Sequence, residues 1–144
     1  WGRANGKWYR MREYYFDSRK EGRQRTDEEH YTELEKLADG LHISAVIVDP
    51  SAASFIEVIR RHGRFRVEKA SNAVIDGIRN VATRLQCGDI FICDCCTDCI
   101  REFGMYRWDE KALMDKPIKE NDHSMDDVRY FVHKVFAPEL FSFK

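Results

Sequence analysis

The sequence contains no run of eighteen or more apolar residues, so no stretch of it reads as a membrane-spanning helix. It has no strong charge of either sign: 24 lysines and arginines face 25 acids, a formal net charge of −1. A local basic surface is compatible with that balance, which decides neither for nor against nucleic acid. No Gly-x₄-Gly-Lys-Ser/Thr loop occurs, which excludes ATP binding through a P-loop. No second Cys-x-x-Cys and no His-x₃-His accompanies Cys96-x-x-Cys99, so a structural zinc site lacks half its ligands. No leader-like segment opens the chain, and the five cysteines, Cys87, Cys93, Cys95, Cys96 and Cys99, are therefore expected as free thiols in a reducing compartment. Internal repeats and low-complexity stretches are absent as well.

What is present is an ordinary globular composition, 43% hydrophobic and 34% charged over 144 residues, enough for one domain with a real core. Asn5-Gly6 between Trp1–Ala4 and the aromatic run Lys7–Phe16 predicts a hairpin, since both turn positions require positive φ. A polar segment with Arg19, Lys20, Arg23 and Arg25 follows, and Thr26 with Glu29 predicts a capping box opening a helix that buries Tyr31, Leu34, Leu37 and Ala38. Leu41–Val48 is nearly continuously apolar, the pattern of a parallel strand at the centre of a sheet, and it ends on Asp49-Pro50. Ser51 is expected to cap the next helix, through His62.

A half-buried strand around Phe65 and Val67, a helix from about Asn72 to Gln86, a short strand from Asp89 to Cys93 and a helix from about Cys95 to Phe103 come next. Tyr106–Glu120 reads as a second hairpin carrying Lys111, Lys116 and Lys119, and a last helix runs from about His123 to Phe136, before Pro138. Hairpins combined with alternating strands and helices predict an α/β fold, a mixed sheet flanked by helices.

Three constellations carry chemistry. Asp49 ends the most central-looking strand, where α/β sheets collect ligands; it is a metal or catalytic acid, or else it caps the Ser51 helix or bonds the turn at Pro50. In the closing helix, Met125, Val128, Val132 and Val135 form an apolar stripe, with Asp122, His123 and Asp126 on the opposite side. Asp49 paired with Asp126 suits a metal-dependent phosphodiesterase, while Asp122 is expected to cap the helix. Cys96, Cys99, Ile100 and Phe103 fall at helical spacing and are expected to be core.

Val46-Ile47-Val48-Asp49-Pro50-Ser51-Ala52-Ala53, Glu13-Tyr14-Tyr15-Phe16-Asp17-Ser18-Arg19, Asp76-Gly77-Ile78-Arg79 and Glu120-Asn121-Asp122-His123-Ser124-Met125-Asp126-Asp127-Val128-Arg129-Tyr130 together resemble the C-terminal nuclease domain of a tailed-phage or prophage terminase large subunit. The resemblance implies an RNase H-like fold and a metal-dependent endonuclease that cuts concatemeric viral DNA during genome packaging in the bacterial cytoplasm. It maps catalytic roles onto Asp49, His123 and Asp126, with Asp49 and Asp126 ligating Mg²⁺ or Mn²⁺, two ions in the complete site. Arg19, Lys20, Lys116 and Lys119 become candidates for contacts with double-stranded DNA.

The family's ATPase domain, portal and small terminase subunit are the implied partners, with the isolated domain a monomer. The family's first catalytic Asp lies upstream of Trp1, so the chain is expected to lack its first strand and to cleave poorly by itself. Another RNase H-like nuclease of the resolvase type, or a non-catalytic DNA- or protein-docking module, is the alternative.

Overall fold

The computed structural model describes residues 1–140, with side chains through Phe136. Two compact units emerge, one formed by residues 1–13 and 71 onward and the other by Tyr14–Ala70.

In the first unit, β1 (Gly2–Ala4) and β2 (Lys7–Arg10) form the expected hairpin. Its turn places Asn5 at φ 52° and Gly6 at φ 76°, the two left-handed positions that Asn-Gly tolerates. β2 then pairs in parallel with β5 (Ile90–Ile92), Tyr9 opposite Phe91, which makes the three-stranded sheet mixed. The second strand stops at Arg10 and does not run to Phe16. Helices α4 (Val74–Cys87), α5 (Thr97–Met105) and α6 (His123–Leu140) complete this unit; α6 continues past Phe136 and through Pro138.

Met125, Val128, Phe131, Val132 and Phe136 of α6 are buried with Ile90, and Trp1 stacks on Phe131 at 4.1 Å. Residues 106–120 form only one antiparallel bridge, Trp108 to Pro117, braced by Asp109 N–H donating to Lys116 O at 2.7 Å.

The second unit contains α1 (Ser18–Glu21), α2 (Asp27–Leu37), β3 (Val46–Val48), α3 (Ala53–His62) and β4 (Val67–Lys69). Thr26 and Glu29 close the capping box in both directions. Tyr31, Ala38, Val48, Ile56, Val58, Ile59 and Phe65 make its core.

The apolar run Leu41–Val48 is not a central strand. Only Val46–Val48 is extended into a ladder, and among the described residues β3 pairs with β4 alone. Ile43 and Val46 pack against the core cluster, so the run's hydrophobicity serves side-chain burial and not two-sided pairing. Ser51 does not cap α3 either: Ala52 holds that position without a side-chain bond. Cys96, just before α5, and Cys99 within it are wholly buried as expected, but Ile100 is 47% exposed and the next inward residue is Glu102.

Candidate functional site

Helix α6 begins where Asp122 O accepts the first helical bond, from Asp126 N at 2.8 Å. Asn121, just before it, adopts φ 51°, a left-handed turn that asparagine tolerates better than most residues. Asp122 is buried, Asp126 half-buried and His123 exposed. The carboxylates of Asp122 and Asp126 converge: Lys119 Nζ lies 3.8 Å from Asp122 Oδ2 and 3.9 Å from Asp126 Oδ2. The other oxygen of Asp126 accepts from Arg129 Nη2 at 2.8 Å.

Two acids one turn apart therefore share a single ammonium, an arrangement that favours positive charge at their Oδ2 atoms. Tyr106 sits in the same field. Its phenol is pushed above the ordinary value by burial first, then by the negative charge of Asp126, while Arg129 opposes the shift and Asp122 adds to it. Tyr106 is thus a neutral O–H donor beside the acids. It lines a cleft of about 370 Å³ with Gly104, Arg107, Ile118, Glu120 and Asn121. It also borders an apolar hollow of about 140 Å³ formed by Ile78, Leu85, Phe103, Met125 and Val128.

The start of α6 is pinned from below. Glu102, with no exposed surface, accepts from Ser124 N at 2.6 Å, and Arg101 Nη2 lies 3.9 Å from its other oxygen. A carboxylate at a helix N-terminus satisfies an orphan N–H and complements the helix dipole. Glu13 does the same for α5, accepting from Asp98 N at 2.8 Å and Cys99 N at 2.9 Å. Asp127 turns away from the shared ammonium to pair with the buried Arg10.

Asp49 belongs to the second unit. Its Oδ1 accepts from Ser51 N at 2.8 Å and its carbonyl from Ala52 N at 3.0 Å, so it closes the turn at Pro50. Among the described residues, no three His, Cys, Asp or Glu side chains stand close enough together to hold a metal ion. Arg19 and Lys20 are exposed on α1, whereas Arg23 pairs with Glu29 and Arg25 with Glu33. Lys116 is exposed on the 106–120 segment, and Lys119 lies at the paired carboxylates of Asp122 and Asp126.

No family model matches the chain. It is 24% identical over 128 residues to the terminase large subunit of Escherichia phage T5, a match covering 85% of this chain and 29% of that protein. The large terminase of a thermophilic bacteriophage, solved in complex with ADP, superposes with a TM-score of 0.91 at 49% identity, over 99% of this chain and 36% of that one. A second structure of the same terminase gives 0.90 at 48% identity, over 94% of this chain and 35% of that one. The chain is a homologue of one segment of a phage large terminase.

The chain spans about a third of the length of the relatives it matches, 29% of the phage T5 protein and 36% of the thermophilic phage's chain. The mixed α/β architecture expected from the sequence is the one shared with the thermophilic phage's terminase. Sequence reasoning missed Arg129 as a partner of Asp126, although their three-residue spacing on a helix was a usable signal. It also missed Glu102 and Tyr106. Nothing in the sequence pattern around either residue marks it as facing α6, because that proximity is created only when α5 packs against α6.

Proposed function

We propose that the chain is the nuclease segment of a phage or prophage large terminase, an RNase H-like, metal-dependent endodeoxyribonuclease that cuts concatemeric viral DNA during packaging. The observation that carries the reading is the convergence of Asp122 and Asp126 on one ammonium beside an open cleft, in a chain related to large terminases. The donor set fits a hard divalent cation: carboxylate oxygens already arranged to favour positive charge, with an exposed imidazole one residue from the first of them.

Asp126 is the ligand we assign to Mg²⁺ or Mn²⁺ on α6, and Asp49 enters through its motif. When bound, the ions, two in the complete site, supply Lewis-acid stabilisation of the scissile phosphate and an activated water. His123, exposed at the first position of α6, is proposed to carry a proton to the leaving 3′ oxygen. Tyr106 O–H donates toward the phosphate from the cleft wall.

Lys119, once displaced from the acids, joins Lys116, Arg19 and Lys20 in neutralising phosphates of double-stranded DNA. The remainder of a large terminase, its ATPase domain, together with portal and small subunit, is the proposed context, in the host cytoplasm. Among the described residues no helix is long and apolar enough to cross a membrane.

A second reading has its own support. Asp49 closes a turn and Asp126 is held by Arg129, so both acids also serve the fold, as in a non-catalytic docking module. Calorimetric titration with Mn²⁺ and a supercoiled-plasmid nicking assay separate the two. The nuclease reading expects Mn²⁺ binding that weakens at least about tenfold in Asp126→Asn and in Asp49→Asn, and nicking, slow but above the Asp126→Ala background. Absence of Mn²⁺ binding in the unsubstituted chain, with no nicking, overturns it in favour of the docking module.

A further inference from the structure

Asp76-Gly77-Ile78-Arg79 is part of the resemblance to large terminases, yet none of these residues enters the proposed chemistry. The packing supplies a role for one of them. Gly77 is buried in the first turns of α4, and a Cβ built there would lie 2.5 Å from Arg129 Cγ and 2.7 Å from Arg129 Cδ. Those are stem atoms, not the tip, of a side chain only 4% exposed, so they have little room to yield. Held in that seat, the guanidinium donates from Nη1 to Ala73 O at 3.2 Å and from Nη2 to Asp126 Oδ1 at 2.8 Å. Arg129 Nε is buried without a hydrogen-bond partner among the described residues.

Burying a guanidinium this fully is costly unless its charge is used. As a mere staple between α4 and α6, an apolar side chain would serve; Val128 and Val132 of the same helix are buried without any charge.

We propose that Gly77 and Arg129 together orient the Asp126 carboxylate. The bare backbone at position 77 seats the arginine stem, the guanidinium holds Oδ1, and Oδ2 is thereby turned outward, where it now faces Lys119. Arg129 is a positioning residue, and Gly77 is the reason it can be one. The consequence for cation binding rests on the reading of Asp126 as a ligand; the seat itself does not.

The test uses the 144-residue chain and three variants, Gly77→Ala, Arg129→Ala and the double substitution. Side-chain ¹⁵N–¹H NMR of the arginines reports the guanidinium directly, with Asp126→Asn identifying the signal that depends on the pair. The proposal expects that signal to be protected from exchange in the unsubstituted chain and lost in Gly77→Ala. Thermal melts expect a sign reversal: Gly77→Ala lowers Tm when Arg129 is present, because the seat is overfilled. In the Arg129→Ala background it leaves Tm unchanged or raises it, because alanine is the better helix former.

Gly77→Ala keeps every charge, so its effect on Mn²⁺ affinity reports orientation, with weakening by about threefold or more expected in calorimetry. A guanidinium signal and an Mn²⁺ affinity both unchanged in Gly77→Ala overturn the proposal. Failure of the unsubstituted chain to bind Mn²⁺ overturns the nuclease reading instead, and the NMR signal and melts still judge the seat.

Discussion

At the scale of single residues, the thiols illustrate how burial sets chemistry. Cys96 is pushed up to about 11, by burial first and then by its neighbour Cys95, and Cys99 is pushed up to about 12, again mainly by burial. Cys96 Sγ donates to Arg10 O at 3.2 Å, which further commits it to the protonated form. Both are core atoms, not nucleophiles, because the thiolate is the reactive species. Cys87 and Cys95, in contrast, are exposed.

We expect a thiol reagent at neutral pH to modify Cys87 and Cys95 quickly and to reach Cys96 and Cys99 only on unfolding, as mass spectrometry of timed samples would read. The linkage has a definite sign: a raised folded-state value stabilises the protein fully below the ordinary value of 9.0 and loses that contribution as pH rises through about 11 to 12. Denaturant midpoints should therefore fall across that alkaline window, and fall less in Cys99→Ala measured against its own neutral midpoint.

At the scale of elements, the start of α6 depends on a carboxylate it does not contain. Glu102 reaches across from α5 to the N–H of Ser124, and replacing it by alanine leaves that buried donor unmet and opens space beside it. We expect Glu102→Ala to cost about 2–3 kcal/mol in urea unfolding, and Glu102→Gln distinctly less, since its amide oxygen still accepts. Equal stability for Glu102→Ala and the parent chain would contradict the capping role. The local signals at this scale were readable beforehand. Thr26 and Glu29 cap α2 in both directions and Asn5-Gly6 turns the first hairpin, because each depends only on atoms a few residues apart. Strand length and pairing were not: the hydrophobicity of Leu41–Val48 measures burial, and burial is achieved by core contacts as well as by a central strand.

At the scale of the whole molecule, two compact units, each with its own buried cluster, give a direct expectation for unfolding. All three tryptophans, Trp1, Trp8 and Trp108, belong to the unit containing α4 to α6, so tryptophan fluorescence reports that unit alone. Ile59 lies at the centre of the other core with no exposed surface. Ile59→Ala should cost about 2–5 kcal/mol there. The resulting loss of helical circular dichroism should begin at lower urea than the fluorescence change. Coincident transitions by both probes would show a single cooperative unit instead.

The sequence by itself determined the α/β class, the hairpin turn, the capping box, the buried thiols and the apolar stripe of α6, since these follow from short-range periodicity and side-chain chemistry. It also pointed to the large terminases through short motifs. Only the tertiary structure decided what the acids do in the folded chain. Asp122 is buried and shares Lys119 with Asp126, Asp126 leans on Arg129, and Arg129 lies where Gly77 leaves room. The Asp126–Arg129 pair lies within one helical turn, but Gly77 and Arg129 stand fifty-two positions apart, and no local pattern encodes a contact that exists only once α4 and α6 have packed together.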